Sequence, residues 1–312
     1  MNQHNRRQFV SGSAAALAGG TLVGASTASL AANKRPLIID CHAHIYGLDE
    51  KKYPTIPKPY RPPAGKGTVS HLKNEMIQAG VRYATAIQTS TFYRFDNRFT
   101  ADSARANKSV MAAVVTLNPD DERSPGMLKN YVLNYNTRGM RSIAAKSGKL
   151  DDPGVDRLWT MAEKLGIVIN VLTGRDKRPE IERLVKRHPK LRVIIDHCFN
   201  LRPGPTLKPT LDDMARLAEL PNVHAKLTFI PTGSGKKYPC DDLFDACRAV
   251  VKAFGANRCV WGSDFPCELW CPKVSYGQHL KIFTDHLGFS DKQKEHILGK
   301  TAYRLWFQPR RQ

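Results

Sequence analysis

A chain of 312 residues, 41% hydrophobic and 24% charged, with 22 glycines and 20 prolines, is neither a disordered polymer, nor a disulfide-stapled miniprotein, nor a coiled coil. Its length suits two ordinary domains or one large α/β barrel, and no run of about eighteen strongly apolar residues marks a membrane span. A formal net charge of +20 points toward anionic partners without choosing among nucleic acid, membrane surface and small acids.

Residues 1–31 hold no acidic side chain. They open with Arg6-Arg7-Gln8-Phe9-Val10, continue through a mild Ala/Gly/Ser/Thr-rich run to about Ser26, and end near the small residues of Ser29-Leu30-Ala31-Ala32. An arginine pair, a Phe two positions later and weak hydrophobicity resemble a twin-arginine export signal more than a general secretory one. The expectation is a signal peptide over 1–31, a single mature domain over 32–312, the twin-arginine machinery as export partner, and a periplasmic or secreted destination. Seven cysteines (Cys41, Cys198, Cys240, Cys247, Cys259, Cys267 and Cys271) are an odd number for an oxidising compartment, so at least one stays free or pairs between chains. Cys267 and Cys271 lack the paired clusters of a structural zinc site and read as loop residues able to form a disulfide.

After Pro36, apolar β-rich runs recur: LIIDCHAH from Leu37, VRYATAIQT from Val81, VMAAVVTL from Val110, RGMRSI from Arg138, GIVINVLT from Gly166, LRVIIDH from Leu191, NVHAKLTFI from Asn222 and RCVWGSD from Arg258. From the second run onward the starts lie 25 to 36 residues apart, room for one strand and one helix. LWTMAEKL, from Leu158, has apolar positions at helical spacing. Eight such units without a second core region predict a single-domain (β/α)8 TIM barrel. A doubly wound sheet is the competitor, but no Gly-rich dinucleotide loop is present. The first interval is longer, 44 residues, and holds YPTIPKPYRPP (53–63). Five prolines in eleven residues forbid a regular helix there. The stretch is either a lid over the barrel mouth or a surface excursion.

On the first strand, Asp40, His42 and His44 stand at i, i+2 and i+4. Strict alternation turns all three toward the barrel interior and Ile39, Cys41 and Ala43 toward the helices. His42 and His44 then form a ready pair of metal ligands at the carboxyl end of a barrel strand. His197 ends the sixth strand and Asp264 the eighth, so imidazole and carboxylate meet at one rim, material for proton transfer and water activation. By the same alternation, Asp196 and Cys198 point into the helix layer. Gly262 allows a close backbone approach and Pro266 ends the strand. Arg141 closes the fourth strand and is the first choice for a carboxylate clamp. Tyr93 and Lys226 stand behind it as substrate-binding residues. His224 reads as a deeper, structural histidine, and His71, His188, His279, His286 and His296 as surface residues.

IIDCHAHI, RGMR, VIIDH, VWGSDFP and the terminal ILGKTAYRLWF together resemble the amidohydrolase superfamily, specifically its amidohydrolase-related branch of lactonases and decarboxylases. The resemblance runs from about Leu37 to Phe307. It implies a hydrolytic or lyase site at the barrel mouth, with the first-strand histidines and Asp264 handling metal or water and His197 assisting at the substrate. Two departures matter. Many relatives end the fifth strand in a histidine ligand, where this chain has Leu172. The fourth strand offers arginines rather than a bridging lysine. A two-metal centre is therefore not expected: the site holds either one zinc-like divalent ion on His42, His44 and Asp264, or no metal, with Asp264 alone activating water. The expected function is that of an exported hydrolase opening an acidic lactone. The alternatives are a metal-dependent decarboxylase of an aromatic or unsaturated acid, and a non-catalytic barrel binding polyanions. A small acidic substrate is the expected partner, and nucleic acid is not.

Overall fold

The structure is a computed structural model that describes residues 36–309. The expected signal peptide over 1–31 lies outside them. Eight parallel strands pair in sequence order: β1 (Ile39–Ala43), β2 (Tyr83–Ile87), β3 (Met111–Thr116), β4 (Thr137–Ser142), β5 (Val168–Val171), β6 (Val193–Ile195), β7 (Val223–Lys226) and β8 (Cys259–Val260). Each lies inside its predicted run, or within a residue of it. The Cys41 amide donates to the Trp261 carbonyl at 3.2 Å, and Ala43 bridges to Phe265 in parallel, so the last strand returns to the first. The fold is the expected (β/α)8 barrel.

Helices on the outside follow the strands, and their ends are written in local chemistry. In the helix Pro153–Leu165, the Asp152 carboxylate accepts from the Gly154 amide, Pro153 takes the first turn, and Gly166 leaves in the left-handed region at φ 62°. Each device meets the orphan backbone groups of a helix terminus. Val155, Leu158, Trp159 and Ala162 form its buried stripe at i, i+3, i+4 and i+7.

Registered parallel neighbours share a face, so the pairs Ile39–Tyr83, Ile87–Val114, Val114–Gly139, Arg141–Asn170, Asn170–Ile194, Ile194–His224 and Lys226–Val260 trace the barrel lumen. Its lower part is apolar: Ile39, Cys41, Ile87, Val114, Val168, Ile194 and Val260 pack with Ala302, Leu305 and Trp306 of the C-terminal segment. The upper part is polar, with His42, Arg141, Asn170, Asp196 and Lys226 all buried.

This register corrects the strict alternation expected along β1. The β1–β2 pairing shifts between Asp40 and Ala43, so Ile39 and Cys41 face the lumen and His42 joins them there. Asp40 instead turns outward, where its carboxylate accepts from the Ser263 amide (2.9 Å), the Ser263 hydroxyl (2.6 Å) and the Tyr276 hydroxyl (3.0 Å). It bolts β1 to the segment after β8 rather than serving the site.

The Pro-rich stretch is non-helical, as five prolines require. Its Ile56 and Tyr60 amides donate to the carbonyls of Phe92 (2.9 Å) and Thr91 (3.0 Å), and the Tyr60 ring lies 5.3 Å from Trp270. It braces the two short helices that wall the barrel mouth, Ser90–Tyr93 and Cys267–Trp270. The seven cysteines are all buried free thiols, and those of Cys267 and Cys271 both contact the Ser263 carbonyl at 3.8 Å. His188 and His279, expected at the surface, are buried. His188 sits between Asp156 and Glu163, and His279 accepts from the Trp261 indole.

Candidate active site

At the carboxyl ends of the strands lies a cavity of about 300 Å³ bordered by His44, Ser90, Thr91, Arg141, Leu172, His197, Asn200, Thr232, Asp264 and Trp270. Backbone strain positions two of its chemical groups. His197, Cys198, Phe199 and Asn200 are consecutive left-handed residues, φ 53°, 47°, 61° and 54°, and Asp264 lies at φ 56°. Such conformations cost non-glycine residues about 1–2 kcal/mol each and persist where surrounding contacts over-determine them. Gly262 makes the approach to β1 fit: a Cβ there would meet His42 Cβ at 2.8 Å and His42 N at 2.9 Å.

His42 Nε2 lies 3.2 Å from His44 Nε2 and 3.5 Å from Asp264 Oδ1, and His44 Nε2 lies 3.9 Å from the same oxygen. Donors about 2.0–2.2 Å from a tetrahedral ion stand roughly 3.3–3.6 Å apart. Two of the three separations lie at or close to that range and the third is a few tenths of an ångström wider, so with a small adjustment these residues could hold one metal ion, a fourth position being left for water or substrate. His44 is already oriented for it, because its Nδ1 can only donate to the Ile87 carbonyl (3.1 Å), which leaves Nε2 with its lone pair. One group competes: Arg141 Nη2 approaches His42 Nε2 to 2.8 Å, so an ion would require that guanidinium to let go. Leu172, where many relatives carry a histidine, lines the cavity and offers no ligand.

Beneath the histidines lies a charge network absent from the sequence expectations. Asp196 binds Lys226 Nζ (2.8 Å), Arg141 Nε (3.2 Å) and the Asn170 amide (3.3 Å). Burial pushes the Asp196 carboxyl up, but the two cations outweigh it and hold it below the usual range. Alternation phased along β6 from His197 sends Asp196 toward the helices. The strand, however, ends at Ile195 with Ile194 in the lumen, so alternation carries Asp196 inward, and the left-handed turn that begins at His197 brings that histidine to the same side.

Burial governs the titrating groups. It presses His42 and His44 well below the ordinary histidine range, and nearby Lys226 and Arg141 add to this at His42. His197 falls to about 4, again mainly through burial, so all three are neutral imidazoles at pH 7. Asp264 moves the other way, raised by burial to about 7 and partly restrained by Arg141. A carboxylate poised there can exchange a proton with water at neutral pH. His197 Nδ1 meets the Thr228 hydroxyl at 2.7 Å and lies 4.0 Å from Asp264 Oδ2.

The structure thus brings together His42, His44, His197, Asp264 and Arg141. Two expected substrate contacts are not among the groups bordering the cavity. Lys226 is fully enclosed, with Asp196 as its ion partner and Trp306 beneath it. Tyr93 is buried, and its hydroxyl accepts from the Gly47 amide at 2.7 Å, fastening the loop after β1. Ser90, Thr91, Asn200, Thr232 and Trp270 line the cavity without having been expected there. They come from loops whose paths depend on tertiary contacts, and only their position after strand ends marked them.

Comparison with known proteins agrees with this geometry. The amidohydrolase family model matches residues 39–308. The chain is 25% identical to an L-fucono-1,5-lactonase of Burkholderia ambifaria over 245 residues, 73% of this chain and 80% of that one. Its fold superimposes with a TM-score of 0.73 on a Pseudomonas putida protein provisionally named a 2-pyrone-4,6-dicarboxylic acid hydrolase, at 21% identity, covering 88% of this chain and 99% of the other. A zinc-bound amidohydrolase from Burkholderia multivorans gives a TM-score of 0.69 at 22% identity, with 88% and 100% coverage.

Proposed function

The chain belongs to the amidohydrolase family, and on that premise we propose that it hydrolyses a lactone bearing one acidic group and several hydroxyls. The observation that carries this reading is Asp264: a carboxyl buried at the cavity wall, raised to about 7, beside neutral imidazoles and one arginine.

Asp264 takes a proton from water as the water oxygen attacks the lactone carbonyl carbon. His197, neutral and held through Nδ1 by Thr228, donates from Nε2 to the carbonyl oxygen as negative charge gathers there. The tetrahedral intermediate collapses with cleavage of the ring C–O bond, and Asp264 returns its proton to the departing alkoxide. The hydroxy acid formed ionises at neutral pH, so each turnover releases one proton. An ion held by His42, His44 and Asp264 would polarise the carbonyl and lower the pKa of the water.

Arg141 supplies the acidic specificity, because its fork matches a carboxylate and among the described residues it is the one cation bordering the cavity. Apart from Asp264, the remaining wall is neutral and hydroxyl-rich. Ser90, Thr91 and Thr232 border the cavity, which suits hydroxyls on the substrate. The name of the Burkholderia ambifaria relative, a lactonase, supports the reaction class, and Leu172 in place of a histidine weighs against the decarboxylase alternative. Export through the twin-arginine route is part of the same proposal. Replacing Arg6-Arg7 by two lysines should leave unprocessed precursor inside the cell, and normal export would refute it.

The test of function is metal analysis of protein purified without chelator, paired with a proton-release assay over lactones that differ in carboxylate and hydroxyl content. Turnover of hydroxylated mono-acid lactones is expected. Failure on every lactone, with turnover of an aromatic acid to carbon dioxide, would overturn the proposal.

A further inference from the structure

The end of the barrel opposite the mouth carries a second polar cavity that the hydrolytic site does not use. It measures about 420 Å³ and is bordered by Arg138, Lys164, Arg192, Arg304 and Trp306, with Glu163 as its one acidic side chain. A smaller cavity of about 210 Å³ adjoins it across Arg138 and Trp306 and adds Lys108. Ten arginines elsewhere among the described residues have a carboxylate within 4.0 Å. Arg138, Arg192 and Arg304 converge on one cavity, yet among the described residues none of the three is in such an ion pair.

Their neutral partners leave donors over. Arg192 donates to the carbonyls of Arg304 (3.1 Å) and Gly166 (2.7 Å), and Arg304 to that of Asn257 (2.6 Å). Those contacts cap the ends of neighbouring segments, as arginines near helix C-termini commonly do. Arg138 caps nothing: its side-chain contact is to Asn136 Oδ1 at 3.2 Å. Glu163 cannot neutralise the group, since its oxygens accept from the Lys190 amide (3.1 Å) and face His188 (3.4 Å). Two further observations mark the place as built for a charge it lacks. Burial holds the Arg138 and Arg192 guanidiniums below their usual range, and Arg304 lowers Arg192 further. The Trp306 indole N–H, on a residue almost fully buried that borders both cavities, has no hydrogen-bond partner among the described residues.

We propose that this closed-pole cavity binds a small oxyanion of two or more charges, with Arg138 as its central ligand and Arg192 and Arg304 beside it. Phosphate and carboxylate groups share the recognising chemistry, planar oxygens taken by guanidinium forks. The site lies at the amino-terminal ends of the strands, so its occupant neither enters the mouth nor competes with a substrate there.

The test is calorimetric titration of the full chain with pyrophosphate and, separately, with citrate. Saturable one-to-one binding of at least one probe is expected, and the preferred probe identifies the ligand as phosphate or carboxylate. Arg138→Gln should weaken it about tenfold or more, the scale of one charge-assisted hydrogen bond. Arg123→Gln, which removes an exposed arginine paired with Asp121, and Arg141→Gln at the mouth should leave it unchanged. Should Arg138→Gln fail to fold, Arg304→Gln, at a more exposed position, serves in its place. Absence of saturable binding at millimolar probe, equal weakening by Arg123→Gln, or loss confined to Arg141→Gln would overturn the proposal.

Discussion

Arg141 answers to two partners at once. Its Nε holds the Asp196 carboxylate, while Nη2 points at the lone pair of His42, leaving N–H groups for the cavity it borders. A lysine at this position keeps the charge but cannot span Asp196, His42 and a substrate carboxylate together. Arg141→Lys is therefore expected to raise KM for acidic lactones about tenfold, roughly 1.4 kcal/mol, with little change for neutral ones. Steady-state kinetics on matched substrate pairs check it, and equal loss on both would mark Arg141 as structural. At this scale the site was half legible. The HxH spacing and the aspartate after WGS announced His42, His44 and Asp264 because those residue types rarely close barrel strands for packing alone. Residue type could not tell that Lys226 would be consumed by Asp196, or that the Tyr93 hydroxyl would be taken by a backbone amide.

The elements that position these groups are irregular where the chemistry is. Apolar runs and their spacing disclosed all eight strands, since a parallel strand buried on both faces must be continuously hydrophobic. Alternation failed in two places for one reason each: the register shift after Asp40 brought His42 into the lumen while Asp40 faces out, and the left-handed turn after β6 brought His197 to the side that Asp196 already faced. Neither bulge nor left-handed turn has a signature in residues such as Cys, His and Phe, which rarely adopt positive φ. The glycine at the β1–β8 contact is the exception, because its need for space is visible in sequence. Gly262→Ala should drive a methyl into His42, as the 2.8 Å and 2.9 Å approaches require. The expected result is destabilisation of about 1–3 kcal/mol and displaced His42, read as a lower denaturant midpoint and reduced kcat in the folded fraction. Unchanged stability and activity would show that β1 yields without consequence.

The whole barrel is divided between an apolar lower lumen sealed by Trp306 and a polar upper lumen that holds buried charge. That division makes stability depend on pH. His197, with a folded value of about 4, and His42 and His44, pressed well below the ordinary range, stay neutral where the same side chains in the unfolded chain, near 6.5, take up protons. Their contribution is fully present above about 6.5 and declines as pH falls below it, for His197 down to about 4. Asp264, raised to about 7, acts oppositely: the folded chain keeps a proton the unfolded one releases, so its contribution falls as pH rises from about 4 to 7. Three histidines outweigh one aspartate, and the melting temperature should drop as pH is lowered from 7 to 4. His197→Asn should remove a share of that slope, on the order of 3 kcal/mol for a histidine moved to about 4. A flat profile in this window would contradict the neutral, buried state of the imidazoles.

The account depends most on Asp264 acting as the base at the mouth, and the direct measurement is the proton-release rate of Asp264→Asn against the parent enzyme on the best lactone, with folding verified by melting. Asparagine keeps the size of aspartate but cannot take the proton of the attacking water at neutral pH. General-base catalysis contributes about 10²–10⁴-fold, so kcat should fall at least a hundredfold while the barrel melts as a folded protein. A folded Asp264→Asn enzyme that keeps more than about a tenth of the parent rate, on the same scale, would contradict the assignment of the base and with it the hydrolytic reading of the site.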